Sequence, residues 1–453
     1  MIKSISEYLR RATVCSLIIL CLVSPRAVGA VRIADLDRFP QSASSYLPAD
    51  PDAQIVDYTD QMSHAGEYLA SHFAPWHNDD LSYLSLSMDR VIGFHNAVAR
   101  KNYYTADAKP YPAASVKKIL VNGKIDPNAT PRPGVALADA DVRILATSTP
   151  LFTSRASARG DRGLLKLDAM QNSVIRPGEP LAIFGASADS SWCFIATGTV
   201  VGWVRSHKIA VTGREFMERW ELAPHSVVVR DNIAINDSKG ERLYTIKLGT
   251  ILPRDDGGIL VPEKGGDGRV LAKRVTLEEG AWAPFPVPFT PRNAAAAIDQ
   301  LMGEPYGWGG ANGQRDCSAM TRDYFSVFGV WLPRNSGDQA KMGDRVKLGG
   351  IRVGERPQVI AERAVPYSTL IHMPGHIMVY IGVYDSKPVV FHNVWGVRIN
   401  AGDKLMGRAV IGKAVISSLE VGAEIVNRPK ASLIIDRIDA LTFPAQPNKR
   451  EIP

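Results

Sequence analysis

The pattern of apolar and polar positions changes character twice along the chain. From residue 31 to about 110 the spacing is helical. Ala53-Gln54-Ile55-Val56-Asp57-Tyr58 leads into a run through Met62, Tyr68 and Leu69, and a second helical stretch spans Leu81 to Ala99. Phe73-Ala74-Pro75-Trp76 reads as an elbow between them, and residues 109–133, rich in Pro, Ala and Gly, read as a linker. From about 134 to 285 the apolar runs become short, β-branched and punctuated by turn residues. Leu181-Ala182-Ile183-Phe184, Trp192-Cys193-Phe194-Ile195-Ala196, Ser226-Val227-Val228-Val229 and Gly258-Ile259-Leu260-Val261 are examples. This rhythm predicts two small all-β modules, at 134–210 and 211–288.

Beyond residue 289 helix and strand signals mix. Asn293 is placed to cap a helix through Ala294 to Met302, with Gly303 ending it. A glycine-rich loop, Gly307 to Gly313, comes next and reads as approach room for a substrate backbone. Cys317 opens another helix whose apolar face is Cys317, Met320, Tyr324 and Phe328, stopped by Gly329. Strands are expected at Gly375 to Tyr384 and Val389 to Trp395, joined by Asp385-Ser386-Lys387-Pro388. The predicted class is multidomain α+β: a helical N-terminal region with linker over 31–133, two small β-barrels, and an α+β domain over 289–453.

The first thirty residues read as an export signal. Lys3, Arg10 and Arg11 precede an apolar stretch, Ala12 to Ser24, too short for the ~20 residues of a spanning helix. Val28-Gly29-Ala30 offers small residues for cleavage. Cys21 lacks the small residues that precede a lipid-attachment site. The expectation is an exported protein of the periplasm, cell envelope or medium, with no stable membrane insertion after cleavage. The formal charge of +7 is spread along the chain without a Lys/Arg run. That suits an anionic envelope polymer and speaks against nucleic acid, which favours a concentrated basic patch.

Four cysteines are present, and Cys15 and Cys21 leave with the signal. Cys193 and Cys317 remain, either as a disulfide or as free thiols. The surroundings of Cys317 favour a working thiol. A thiolate at a helix N-terminus is stabilised by unpaired N–H groups. His376 and His392 lie on neighbouring predicted strands, though the sequence leaves their register open. In a Cys–His nucleophilic pair, His376 takes the thiol proton, His392 orients His376, and the Cys317 N–H helps hold the oxyanion. The scattered remaining histidines show no zinc-ligand spacing, and the glycine-rich loop lacks the Lys-Ser/Thr of a phosphate loop. Neither a metal nor a cofactor is expected.

Asp316-Cys317-Ser318 preceded by Pro305-Tyr306-Gly307-Trp308-Gly309-Gly310, then Leu332-Pro333-Arg334-Asn335-Ser336 with Gln339, then Pro374-Gly375-His376-Ile377-Met378-Val379-Tyr380-Ile381-Gly382, then His392, occur in one order over residues 303 to 393. Together they resemble the NlpC-type, papain-like cell-wall cysteine peptidases. Trp192 followed by Gly202-Trp203-Val204 resembles bacterial SH3-like domains, and Phe73-Ala74-Pro75-Trp76 resembles the family's leader domain. The architecture is similar to that of the γ-D-glutamyl–diamino acid endopeptidases. The resemblance implies a hydrolase of peptidoglycan stem peptides that cuts between D-glutamate and diaminopimelate through a Cys thiolate. It also implies that Asp316 and Ser318 hold the free amine of the stem's L-alanine, and that Tyr306 and Trp308 line the pocket near the oxyanion. The same fold also serves amidases and acyltransferases, or a silent wall-binding protein. The SH3-like modules either bind the wall or line the cleft.

Overall fold

The computed structural model describes residues 32–236, 242–266, 269–401 and 406–446. The expected export signal lies outside the described residues. No described helix is long and apolar enough to cross a membrane.

The N-terminal region is helical, as its periodicity predicts, but the elbow is not where the aromatic cluster suggests. Helix Tyr58–His77 continues through Phe73 to Trp76 and carries Pro75 in its last turn. Asp57 caps its start, accepting from the Thr59 N–H. Trp76 anchors its end by donating its indole N–H to the Gly134 carbonyl at 2.7 Å. The break comes instead at Asn78, before helix Met88–Ala99. The predicted linker contains a further helix, Ala113–Asn122, in which Val116 is buried while Lys117 and Lys118 face water.

The first β-module is a seven-stranded antiparallel sheet built from Arg132–Ala136, Ala140–Arg143, Gln171–Ile175, Pro180–Ala186, Trp192–Ala196, Val201–Arg205 and Ile209–Val211. The second has a five-stranded sheet and a separate hairpin, Ile233–Asn236 with Arg242–Ile246. Helix Arg214–Leu222 precedes it and buries Phe216 and Trp220.

The C-terminal domain packs helices Pro291–Leu301 and Cys317–Ser326 against a six-stranded antiparallel sheet. Spatially its strands run Asp344–Lys347, Ala440–Phe443, Leu370–Met373, His376–Tyr384, Lys387–Asn400 and Met406–Ser418. Thr290, not Asn293, caps the first helix: its hydroxyl accepts from the Asn293 N–H, and Pro291 sits at the first turn, where no N–H is required. One apolar core crosses the regions. Phe39, Val56, Val227 and Leu248 pack with Met320, Phe325, Ile377 and Phe391. The leader and the second β-module therefore supply part of the C-terminal core. Arg315, fully buried, ties the same join, reaching Asp231 of the second module, Glu304 and Asp323.

Candidate functional site

The hairpin that carries both histidines owes its geometry to two local features. Asp385 and Ser386 both have positive φ, 50° and 59°, so the turn has two central residues in the left-handed region. That turn pairs Tyr384 with Lys387 and Gly382 with Val389. Continued unchanged, this register would put His376 and His392 on opposite faces, because side chains alternate along a strand. A bulge at Ile381 shifts the pairing by one residue, so Tyr380 faces Val390 and Val379 faces Phe391. Gly382, at φ 132°, provides the required backbone. In the new register His392 falls opposite Met378, two residues along the same face from His376. The imidazoles meet at 2.9 Å, Nε2 of His376 to Nδ1 of His392. His392 Nε2 lies 3.0 Å from the Ser417 hydroxyl, which donates to the Ser418 carbonyl. Ser417 lay outside every sequence motif; only the pairing of Lys387–Asn400 with Met406–Ser418 brings it to the site.

Cys317 is the first residue of its helix and packs against that sheet. The Ile377 N–H, one residue beyond His376, reaches the thiol, as does the Ser318 N–H, and both favour thiolate. They do not prevail. Burial, and then the Asp316 carboxylate, push the thiol up to about 12. The thiolate expected at the helix N-terminus is thus opposed by desolvation and by a neighbouring anion. Burial likewise lowers His376 to about 4, assisted by the charge of Arg437. His392 is held well below its usual range by burial and by His376. Burial thus favours the neutral forms of the thiol and of both imidazoles.

Asp316 caps the Cys317 helix, accepting from the Ala319 N–H at 2.9 Å. Its other partners are the Ser318 hydroxyl, the Gly309 N–H and both terminal nitrogens of Arg334. Burial opposes its charge, yet Arg334 and the N–H donors hold it below the usual carboxylate range. Both carboxylate oxygens are thus occupied by groups of the chain itself, chiefly Arg334. Arg334 also donates to the hydroxyls of Ser318 and Ser173, the latter on the first β-module. The Leu332-Pro333-Arg334 motif signalled this residue but not its partner. Gln339 fixes the same loop by donating to the Ser318 and Pro333 carbonyls.

The glycine-rich loop is not open room. Gly310 has φ 83°, and a Cβ there would come within 2.5 Å of the Val174 side chain; Gly309 is similarly tight against Gln171. Gln171 donates to the Gly309 carbonyl. The glycines let the first β-module close against the loop, so that module forms a wall beside Asp316 and Ser318. Trp308 is partly exposed, at 36%, whereas Tyr306 faces a cleft beside His376. Cys193 and Cys317 are both free, Cys193 lying in its β-strand.

A helix opening on a buried thiol and packed on an antiparallel sheet with paired imidazoles defines a papain-like α+β domain. Family models match along the chain in the same order. They are an NLPC_P60 stabilising N-terminal domain at 12–127, an SH3 domain of the SH3b1 type at 150–205, an SH3 domain of the SH3b2 type at 214–256, and the NlpC/P60 family at 303–401. The chain thus carries an NlpC/P60 family domain at 303–401, behind an NLPC_P60 stabilising N-terminal domain and two SH3 domains. A gamma-D-glutamyl-L-lysine dipeptidyl-peptidase of Bacillus subtilis (strain 168) is 26% identical over 159 residues, which is 34% of this chain. The chain spans about half the length of that curated relative, 50%. An NlpC/P60 endopeptidase structure from Photobacterium damselae subsp. piscicida matches 91% of this chain and 98% of its own at a TM-score of 0.80 and 22% identity, a likeness of fold.

Proposed function

We propose that the chain is an extracytoplasmic cysteine endopeptidase that cleaves peptidoglycan stem peptides between γ-D-glutamate and the diamino acid. The observation that carries this reading is the ordered chain from His376 through His392 to Ser417, with the N–H of Ile377, the residue after His376, reaching the Cys317 thiol. The Ser417 hydroxyl gives its proton to Ser418, so it accepts from His392 Nε2–H. His392 Nδ1 then accepts from His376 Nε2–H, which leaves His376 Nδ1 unprotonated as the base.

The sulfur of Cys317 attacks the γ-carbonyl carbon of D-glutamate as its proton passes to His376. The resulting imidazolium is stabilised by His392, and the oxyanion by the Cys317 N–H, with Tyr306 beside it. His376 then protonates the departing amine, leaving a thioester. Water, deprotonated by His376, hydrolyses the thioester and restores the thiol. Burial keeps the resting pair neutral, so proton transfer accompanies attack instead of preceding it.

In this reading Ser318, Trp308 and the wall of the first β-module hold the L-alanyl end of the substrate. Asp316 acts on that end together with Arg334, which already neutralises it. The packing of Gln171 and Ser173 into the site favours modules that line the cleft over modules that only tether. The test is mass spectrometry of products from L-Ala-γ-D-Glu-diaminopimelate. Free diaminopimelate with L-Ala-γ-D-Glu is the expected pair; release of alanine alone would place the cut at the Ala–Glu bond and contradict the reading.

A further inference from the structure

Beside His376 a cavity of about 280 Å³ is lined by Tyr306, His376, Trp395, Arg398, Arg408 and Arg437. Three arginines converge there from separate elements. Arg398 and Arg408 are direct cross-strand partners in the Lys387–Asn400 and Met406–Ser418 pair, and Arg437 closes the short helix Ile434–Arg437. Like charges directly opposite on neighbouring strands are destabilising. Burial, followed by repulsion from Arg398, lowers both Arg408 and Arg437 from the usual guanidinium range. No acidic residue lines the cavity, and among the described residues none of the three has a carboxylate partner. The acids next to Arg437 in sequence are engaged elsewhere: Asp436 accepts from the Leu433 N–H and Asp439 from His372. The contrast with Arg315 and Arg334, each fully paired in the interior, is clear. A half-buried cationic cluster without a counter-ion in a cleft is a binding site for an anion.

Its position selects the anion. Asp316, Ser318 and Arg334 face the first β-module and do not line this cavity. If they and the module wall take the L-alanyl-γ-D-glutamyl half, the arginines are left for the leaving group. Resting on the function proposed above, we infer that Arg398, Arg408 and Arg437 bind carboxylate on the departing diamino acid, and so select one bearing a second carboxylate, as diaminopimelate does, over lysine.

The experiment compares kcat/KM for L-Ala-γ-D-Glu-diaminopimelate, for L-Ala-γ-D-Glu-L-Lys, and for the diaminopimelate peptide amidated at the glutamyl α-carboxylate. The full chain prefers diaminopimelate to lysine by about tenfold or more, and the ratio falls toward one in Arg398→Gln and Arg437→Gln. Equal cleavage by the wild type overturns the inference. So does an unchanged ratio in the variants, because a merely structural role lowers all substrates alike. A wild-type preference for the free glutamyl carboxylate that vanishes in the variants assigns the cluster to the acyl side and also overturns it. If folded protein cleaves none of the peptides, the endopeptidase reading itself fails. The subsite is then judged by equilibrium binding of the two unmodified peptides to Cys317→Ala: tighter binding of the diaminopimelate peptide upholds it, equal binding refutes it.

Discussion

His376 and His392 are joined at 2.9 Å because one residue, Ile381, is bulged out of the ladder between them and the turn. The bond fixes which nitrogen of His376 is free, and Ser417 fixes His392 in turn. His392→Ala lowers kcat about 10²- to 10⁴-fold while KM changes little, because the base loses its tautomer and the partner of its imidazolium. Steady-state kinetics on the stem tripeptide decide it. A loss of less than about threefold would leave His392 a packing residue.

Arg334 is buried with Asp316, and together they hold the helix that carries Cys317. Truncating one partner of a buried ion pair strands the other charge, at a cost of about 3–5 kcal/mol. Arg334→Ala therefore lowers the denaturation free energy by that amount, read from urea unfolding. An effect below about 1 kcal/mol would show that Asp316 is hydrated and not truly interior.

The thiol at about 12 has a chemical signature. Alkylation of Cys317 by iodoacetamide in the resting protein should be slow at pH 7 and rise about tenfold per pH unit through pH 9, following the thiolate fraction. A rate that levels off below pH 7 would indicate a thiolate–imidazolium pair at rest and contradict the neutral site.

Several imidazoles are buried uncharged. His72 is held at about 3, and His95, His225 and His376 at about 4, in each case mainly by desolvation. The unfolded chain takes up these protons near pH 6.5, whereas the folded chain refuses them until about pH 4. Their contribution to stability is complete above the unfolded value and is lost as pH falls through this window. Melting temperature should drop steadily from pH 6.5 to 4. A flat profile would mean that these rings are charged in the native state.

The elements that carry the candidate site were legible because each has a local signature. Cys317 follows an N-capping Asp, and His376 and His392 lie on short β-branched strands around a turn. What was hidden depends on long-range pairing. The bulge at Ile381 has no marker beyond Gly382. Ser417 meets His392, and Arg398 and Arg408 reach the cleft beside His376, only through the sheet, while Arg437 arrives on a separate helix. The engagement of Asp316 by Arg334 requires the Pro333 loop to fold back across the helix. Pro75 misled for a different reason. Proline signals a break, but in the last turn of a helix anchored by Trp76 the loss of one hydrogen bond is offset by packing. The helix Ala113–Asn122 was masked by the Pro and Gly residues on either side of it.

The central claim is that Cys317 is the nucleophile for the γ-D-glutamyl bond. The most direct measurement is the rate of diaminopimelate release from L-Ala-γ-D-Glu-diaminopimelate by the wild type and by Cys317→Ala, with circular dichroism to show that both are folded. The account predicts release by the wild type and a loss on the order of 10⁴-fold or more in the variant. Comparable release by folded Cys317→Ala would contradict it.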